Sequence, residues 1–513
     1  MFTHSVFKYA SLDSPVVYHQ DRAICLGELL QTVDYLAGKV PAHQYLLNLY
    51  EERYYFLLGF LLGLKQQTIS LFPSTVTSHV LTHLNDNYDD LLLLSDLKPE
   101  QDQSYEAFQT FDLKGLLKET DFHHRLASQS LSDKKLWAVI PEIQLSRNIA
   151  IIFTSGSTGQ PKPYIKQWKD LLISTRHLTQ CLFSDKRTHD DVDTHTNTSA
   201  GKKSISALLA TVPAQHMYGL EASIMVALQN GFLIHSRKPF FPQDITQSLE
   251  ELLQFAHSCG QTIETTIITT PLHLKACIKT EVPLPGIKQF ISATAPLPTE
   301  LAQLCEKQYS APVLEIFGCT EVGSIAYRRT TKTEQWTVLN DITLEALSSC
   351  PDNIDEQFNR SSLNKNNETA QNDIRINTSR SIKHFLFNDI IELLDERHFI
   401  LKGRKEDLIN LAGKRTSLNY LNHHLQSCED LSDACFYQEP LTENRLVAFV
   451  VLKQPTDMSN KQMSLKIRSC LKPLIESIFL PKKIYFVDTL PRNATGKLPQ
   501  SELNKLMQQQ ETK

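Results

Sequence analysis

The chain of 513 residues is too long for one compact core and suits two or more packed units. With 41% hydrophobic and 21% charged residues it has a soluble globular composition, and a formal charge of −5 argues against nucleic-acid or membrane-surface binding driven by net charge. Ten cysteines are scattered without a Cys-x-x-Cys pair, which reads as reduced, mostly buried thiols in a cytoplasmic protein rather than a zinc site or a disulfide frame.

Met1-Phe2-Thr3-His4-Ser5-Val6 has no charged region followed by an apolar one, so no secretory signal is expected. Tyr45–Leu49 reads as a strand, Arg53–Leu64 as a helix and Thr68–Phe72 as a strand stopped by Pro73. Tyr54–Leu64 is strongly apolar but well short of the ~20 residues of a membrane span, so it reads as a buried helix. Leu91–Leu94, after helical Val80–Leu84, continues the rhythm of a parallel sheet with helices on both faces.

Next, the apolar run Ile149–Phe153 ends abruptly in Thr154-Ser155-Gly156-Ser157-Thr158-Gly159, followed by Gln160-Pro161-Lys162. A buried strand delivers a turn whose backbone N–H groups can converge on an anion. Gly156 and Gly159 permit the close approach, Ser155, Ser157 and Thr158 add hydroxyl donors, and Lys162 adds a charge suited to phosphate oxygens. Taken alone, the same residues also fit a polar hairpin tip. They do not fit the common phosphate loop, which requires Gly-Lys-Ser/Thr.

Lys169–Leu182 has helical spacing. The polar insert 185–203 holds His189, Asp190, Asp191, Asp193 and His195, which could ligate a metal or form a solvated loop. Strands are expected at Ser206–Val212, Thr266–Thr270, Ile287–Ser292 and Val313–Phe317. The first runs into Pro213-Ala214-Gln215-His216-Met217-Tyr218-Gly219-Leu220, with a helix following to Leu228. The others run into Pro271, Ala293-Thr294-Ala295-Pro296 and Gly318-Cys319-Thr320-Glu321, with a helix over Thr299–Gln308. These clusters fall just after strands, the edge where open α/β sheets bind ligands. In the last, Glu321 suits a Mg²⁺ ligand and Thr320 a phosphate donor; a helix N-terminus capped by Thr320 is the alternative. Residues 346–380 are polar and Asn-rich, a mobile surface excursion by composition.

A domain boundary is expected near 402–407, giving a large unit over 1–402 and a small mixed α and β unit over 403–513. The small unit shows helices at Leu418–Gln426 and Asn460–Leu474 and strands at Arg445–Leu452 and Lys483–Val487.

Together these stretches resemble the adenylate-forming superfamily of acyl-CoA synthetases, luciferases and peptide-synthetase adenylation domains. Thr154–Lys162 is similar to its phosphate loop, with Pro163 in place of a closing Gly. Phe317-Gly318-Cys319-Thr320-Glu321 is similar to its Tyr-Gly-x-Thr-Glu, and Ala293–Pro296 to its Gly-Gly-Ala-Pro with two glycines replaced. Asn388-Asp389 stands where the family has Thr-Gly-Asp. Gly403-Arg404-Lys405-Glu406-Asp407 resembles Gly-Arg-x-Asp-Asp, and Pro491–Lys497 resembles Pro-Arg-Thr-x-x-Gly-Lys.

The resemblance implies an α/β fold, a large domain of helix-covered sheets and a smaller mobile α+β carboxy-terminal domain. It implies ATP with Mg²⁺ at Glu321, and adenine between Phe317 with Gly318 and the Thr294-Ala295-Pro296 turn. His216 would lie near the substrate carboxylate, Asp389 on the ribose, and Arg404 on ribose and phosphate. Lys497 would be the catalytic lysine and Glu406 the hinge. Gly413, Lys414 and Arg415 would meet the thiol of CoA or of a phosphopantetheine on an acyl carrier protein.

The implied activity joins a small carboxylic acid to that thiol through an acyl-adenylate. A further likeness to ligases of bacterial aryl-polyene pigment pathways points to an aromatic or hydroxyacyl acid. A non-catalytic nucleotide-binding relative, or an adenylating enzyme with a non-thiol acceptor, is the alternative. No nucleic-acid partner and no transmembrane segment are expected.

Overall fold

The computed structural model describes residues 3–73, 76, 78–96, 108–118, 133–155, 161–183, 204–347, 374–380, 385–387, 389–404, 408–411, 414–438, 446–472, 474–475, 477–493, 496 and 498–511. Its contacts divide the chain into two compact units, one of residues 1–343 with 377–385 and one of 344–376 with 386–513.

The first unit is built on two large sheets, beside a short pairing of Thr3–His4 with Ile143–Gln144. An antiparallel hairpin, β1 (Pro15–His19) and β2 (Arg22–Cys25), belongs to the larger one. The smaller comprises β3 (Tyr45–Asn48), β4 (Ile69–Phe72), β5 (Leu91–Leu94), β6 (Gln109–Phe111), β7 (Asn148–Ser155) and β8 (Pro161–Gln167), in the order β8-β7-β4-β3-β5-β6. All of its pairs are parallel except β7 with β8. Leu47, Leu71, Leu93, Ile151 and Phe153 share one core with Leu81 and Leu84 of the helix Ser78–Asn87.

Between β3 and β4 the helix α1 (Arg53–Gln66) is buried from Arg53 to Leu64, as its unbroken apolar sequence requires. Among the described residues no helix is long and apolar enough to cross a membrane.

The larger sheet continues with β9 (Ser204–Ala210), β10 (Leu233–His235), β11 (Thr262–Thr269), β12 (Ile287–Ser292), β13 (Val313–Cys319), β14 (Gly323–Arg328) and β15 (Gln335–Val338). These run side by side with the first hairpin in the order β15-β14-β13-β12-β11-β9-β10-β1-β2. From β13 to β1 every neighbouring pair is parallel, and the antiparallel strands lie outside that block. Helices α2 (Trp168–Phe183), α3 (Pro242–Ser258), α4 (Pro271–Thr280) and α5 (Thr299–Tyr309) follow β8, β10, β11 and β12. Leu209, Ile267, Phe290 and Val313 on the strands close a core with Leu249, Leu274 and Ala302 on three of these helices.

The second unit contains the hairpin β16 (Asp389–Leu393) with β17 (His398–Arg404) and the hairpin β18 (Leu408–Leu411) with β19 (Lys414–Ser417). After α6 (Leu418–Gln426) comes a sheet of β20 (Leu431–Gln438), β21 (Leu446–Leu452) and β22 (Lys483–Phe486), accompanied by α7 (Asn460–Leu471) and α8 (Gln500–Glu511). Alternation sorts the two faces. Ala434, Phe436, Ala448 and Val450 pack with Leu421, Leu425, Ile467 and Leu471, while Cys435, Tyr437, Val447 and Phe449 pack with Leu503 and Met507. β20 and α8 are additions to the elements read from the sequence.

One reading is corrected here. The polar excursion expected over 346–380 ends in a strand at Ile374–Thr378, and Arg380 is buried in a bidentate pair with Asp341; residues 348–373 lie outside the described residues. The helix expected to run on to Leu228 is present as one continuous helical run over 217–230, widened to π hydrogen bonding at Leu220–Met225.

Candidate active site

The ends of the parallel strands in the larger sheet gather most of the predicted residues of the first unit. Beyond β9, Thr211 shares a hydroxyl–hydroxyl bond of 3.0 Å with Thr269 at the end of β11. The Tyr218 hydroxyl donates to the Ile291 carbonyl at 2.7 Å and to the Thr269 carbonyl at 3.3 Å, joining β11 and β12 to the segment that carries His216. His216 is half-buried and precedes the helix that begins at Met217.

Gly219 cannot be replaced without shifting the backbone, since an added Cβ would lie 1.9 Å from the Pro213 carbonyl oxygen. The same segment is fixed from beneath by buried Arg53, which donates to the carbonyls of Val212 and Arg237 and to Ser223 Oγ. Burial draws its guanidinium down to about 9, still charged at neutral pH.

The turn after β12 bears Thr294, Ala295 and Pro296. Buried Glu315 on β13 accepts the Leu297 N–H at 2.9 Å and also binds Arg328 at 2.7 Å and Thr330 at 2.9 Å, so the turn is fixed to the neighbouring strand. Burial raises the Glu315 carboxyl, and Arg328 opposes that shift. Thr294 has φ of +77°, a left-handed conformation that a β-branched residue rarely adopts. The family's glycine at this position would adopt it freely.

Phe317 and Gly318 lie near the end of β13, and Phe317 meets Trp336 edge-on at 5.6 Å between ring centroids. β13 turns back into β14 with Cys319 opposite Gly323, so Thr320, Glu321 and Val322 form a three-residue hairpin turn. The helix N-terminus considered for Thr320 is therefore replaced by a turn between antiparallel strands. Gly323 has φ of +91°, and a Cβ there would fall 2.5 Å from Glu221 Oε1.

β7 and β8 form a second hairpin beside it, with Thr154 opposite Lys162 and Phe153 opposite Pro163. β8 is the edge of its sheet, which is where a strand tolerates the missing N–H of Pro163. The Lys162 ammonium stands 5.7 Å from the centre of the Tyr164 ring. The Tyr164 hydroxyl is within hydrogen-bonding reach of the Glu321 carboxylate and the Thr154 hydroxyl; burial, then that carboxylate, raises it above its ordinary value. Burial and Glu321 likewise push the Cys319 thiol well up. Thr154, Lys162, Tyr164 and Glu321 are thus brought together at the exit of the glycine-rich stretch.

In the second unit Asp389 and Arg404 are directly opposed across the β16–β17 hairpin. Lys414 and Arg415 lie on β19 opposite Leu411 and Asn410. Arg492 grips Asp433 through two bonds of 2.7 Å and the Gly496 carbonyl at 2.8 Å. That bracket next to Lys497 was not anticipated, because Asp433 is remote in sequence. Gly156–Gly159, Asn388, Glu406, Gly413, Lys497 and the His and Asp residues of 185–203 lie outside the described residues, as does Ser155 beyond its strand backbone.

Among the described residues no three His, Cys, Asp or Glu side chains gather in a way that could hold a metal by themselves. Glu321 offers a single hard carboxylate next to a hydroxyl. Such a donor set fits Mg²⁺ completed by phosphate and water oxygens, and does not fit a resident transition metal.

The fold and this strand-end site define a nucleotide-binding α/β enzyme of two units. The family profile described as AMP-binding enzyme matches residues 76–346, and the one described as AMP-binding enzyme C-terminal domain matches residues 423–497. The chain belongs to the AMP-binding enzymes.

Among similar proteins, 2-succinylbenzoate–CoA ligase of Listeria monocytogenes is 21% identical over 387 residues, 74% of each chain. The structure resembles that of O-succinylbenzoate coenzyme A synthetase from Bacillus subtilis in complex with ATP and magnesium ion, with a TM-score of 0.70, 16% identity and coverage of 96% and 97%. It also resembles the anthranilate CoA ligase in complex with anthranoyl-AMP, with a TM-score of 0.69, 14% identity and coverage of 99% and 98%.

Proposed function

We propose that this chain is an AMP-forming acid–thiol ligase of the acyl-CoA synthetase type. Membership of the AMP-binding enzymes, with both profiles in order along the chain, carries this reading. Ligation to CoA is the activity named for the relatives.

In the first half-reaction a substrate carboxylate oxygen attacks the α-phosphorus of ATP, the bond to the bridging oxygen breaks, and pyrophosphate leaves. In the second, a thiol sulfur attacks the acyl carbon, AMP departs, and the thiol proton passes to solvent. Little covalent work falls to the protein, so positioning and charge stabilisation dominate.

The residue roles are part of the proposal. Thr154–Gly159 and Lys162 hold the β- and γ-phosphates, and Thr320 donates to a phosphate oxygen. Glu321 holds Mg²⁺, which when bound neutralises phosphate charge. Phe317, Gly318 and the Thr294-Ala295-Pro296 turn enclose adenine, and His216 faces the substrate carboxylate. Asp389 accepts the ribose hydroxyls, Arg404 binds ribose and phosphate, and Lys497 offsets charge between carboxylate and α-phosphate. The functional boundary falls at 402/403 with Glu406 as hinge, and Gly413, Lys414 and Arg415 receive the thiol. An aromatic or hydroxyacyl acid is the proposed substrate class, in keeping with the aromatic acids named for two relatives. CoA is the thiol named there, and a carrier-protein phosphopantetheine offers the same chemistry. We place the protein in the cytoplasm.

The deciding experiment is ATP–pyrophosphate exchange with a panel of aromatic, hydroxyacyl and fatty acids. Exchange that depends on an acid supports the reading, and adding CoA or holo-carrier protein then identifies the acceptor. A chain that binds ATP yet exchanges with no acid on the panel is a non-catalytic relative.

A further inference from the structure

The Thr320–Glu321 turn is gripped from behind by buried charge. Lys162, Tyr164 and Lys166 alternate along β8 and share one face. Lys166 is 2% exposed, and its ammonium donates to the backbone carbonyl of Glu321 at 2.7 Å. Arg380, also 2% exposed, donates through one nitrogen to the carbonyls of Val322 at 3.1 Å and Ser324 at 2.7 Å, while its remaining nitrogens bind Asp341. Fully buried Glu221 accepts the Ser324 N–H at 3.0 Å and the Ser324 hydroxyl at 2.7 Å. Its second oxygen has no partner among the described residues and abuts Gly323.

Three carbonyls and one N–H within four residues are therefore held by side chains withdrawn from water. A three-residue hairpin turn needs no such support to form. Burying an ammonium on a carbonyl costs more than packing an apolar side chain there, so the arrangement is not explained by stability alone. What it supplies is a fixed turn. A carboxylate that must meet a cation and a triphosphate works best when its backbone cannot shift, since small misplacements at such a centre are expensive in rate.

We propose that Lys166, with Arg380 and Glu221, is a positioning residue that locks the Thr320–Glu321 turn before nucleotide arrives. The inference rests on the reading of Glu321 as the Mg²⁺ ligand given above. Tyr164, reaching the Glu321 carboxylate from the same face of β8, restrains the side chain while Lys166 restrains the main chain.

The test compares wild type with Lys166→Met, and with Lys166→Gln should the methionine variant fail to accumulate. Hydrogen–deuterium exchange in the nucleotide-free protein is read over residues 319–324 and over the remainder of the first unit. Steady-state pyrophosphate exchange is read against Mg²⁺ and ATP. The expected result is faster exchange confined to 319–324, with kcat lowered roughly 10–100-fold, a higher half-saturating Mg²⁺, and metal-free AMP binding within about twofold of wild type. Unchanged protection at 319–324 overturns the proposal, as does loss of protection spread over the whole unit. Glu321→Gln separates the two layers. If its Mg²⁺ titration matches wild type, the metal reading fails, and the hydrogen-exchange comparison still decides whether Lys166 fixes the turn.

Discussion

At the scale of single residues, one position bears the backbone strain of the site and another its proposed chemistry. Thr294 holds φ of +77° where the family's glycine would be unstrained, and Glu315 keeps the turn in place through the Leu297 N–H. Strain of this kind costs on the order of 1–3 kcal/mol, whereas glycine gives back up to ~1 kcal/mol through the flexibility of the unfolded chain. Thr294→Gly is therefore expected to raise stability by about 1 kcal/mol, read as a higher urea midpoint at unchanged slope. A lower midpoint would mean that the threonine side chain stabilises the turn by more than its backbone strains it. Lys497 is the other position. If it offsets charge only while the carboxylate attacks phosphorus, Lys497→Ala should lower adenylation by roughly 10²–10³-fold. Thioester formation from supplied acyl-AMP should survive, and equal loss of both half-reactions would remove the assignment.

At the scale of elements, what could be read in advance was set by how locally each element is determined. The strand-to-loop junctions at Ala293–Pro296 and Phe317–Glu321 carry their signals within five residues, and both lie at strand ends in the fold. β8 was hidden because Pro161 and Pro163 argue against a strand unless the strand is an edge, which only the assembled sheet reveals. With it went Tyr164 and Lys166, whose period-two spacing from Lys162 is a usable signal once the strand is known. The pairing of Asp389 with Arg404 was likewise divided between two motifs that the register of β16 and β17 makes one. The Pro491–Gly496 segment shows the same non-local dependence, since Arg492 ties Gly496 to Asp433 on β20. Arg492→Met should loosen the hold on Gly496, the residue before Lys497 in the chain. Adenylation kcat is expected to fall roughly 10–100-fold with the KM for ATP little changed, and with the far-ultraviolet circular dichroism of wild type. An unaffected kcat would show that the bracket serves only the packing of the second unit.

At the scale of the whole molecule, the two-unit organisation was legible from length and from the change in pattern near residue 400, but the contact boundary was not. Leu344–Ile376 belongs to the second unit and Asn377–Phe385 to the first, and the polar, Asn-rich composition of 346–380 marks an excursion there without saying which unit either piece joins. The buried histidines are just as uneven. Among the described residues His19, His235 and His273 are the buried ones, and all three belong to the first unit. His19 stacks on Tyr54 at 4.6 Å and bonds Ser236 at 3.0 Å, while His273 bonds Thr270 at 3.0 Å. Burial holds His19 and His273 down to about 4, against 6.5 for a free imidazole. Both are therefore neutral in the fold at pH values where the unfolded chain already binds a proton. Between pH 6.5 and 4 the unfolded state carries more protons, so stability is complete above 6.5 and declines as the pH falls toward 4. Melting temperatures measured from pH 7.5 to 4.5 should drop across that window in the wild type. The His19→Asn, His273→Asn double variant should start lower at pH 7.5, having lost ring packing, and fall less steeply. Parallel curves would take the acid sensitivity away from His19 and His273 and leave it with His235, whose imidazole burial also lowers; Asp341 and Glu306, held below their ordinary carboxyl values, lose their contribution only at still lower pH.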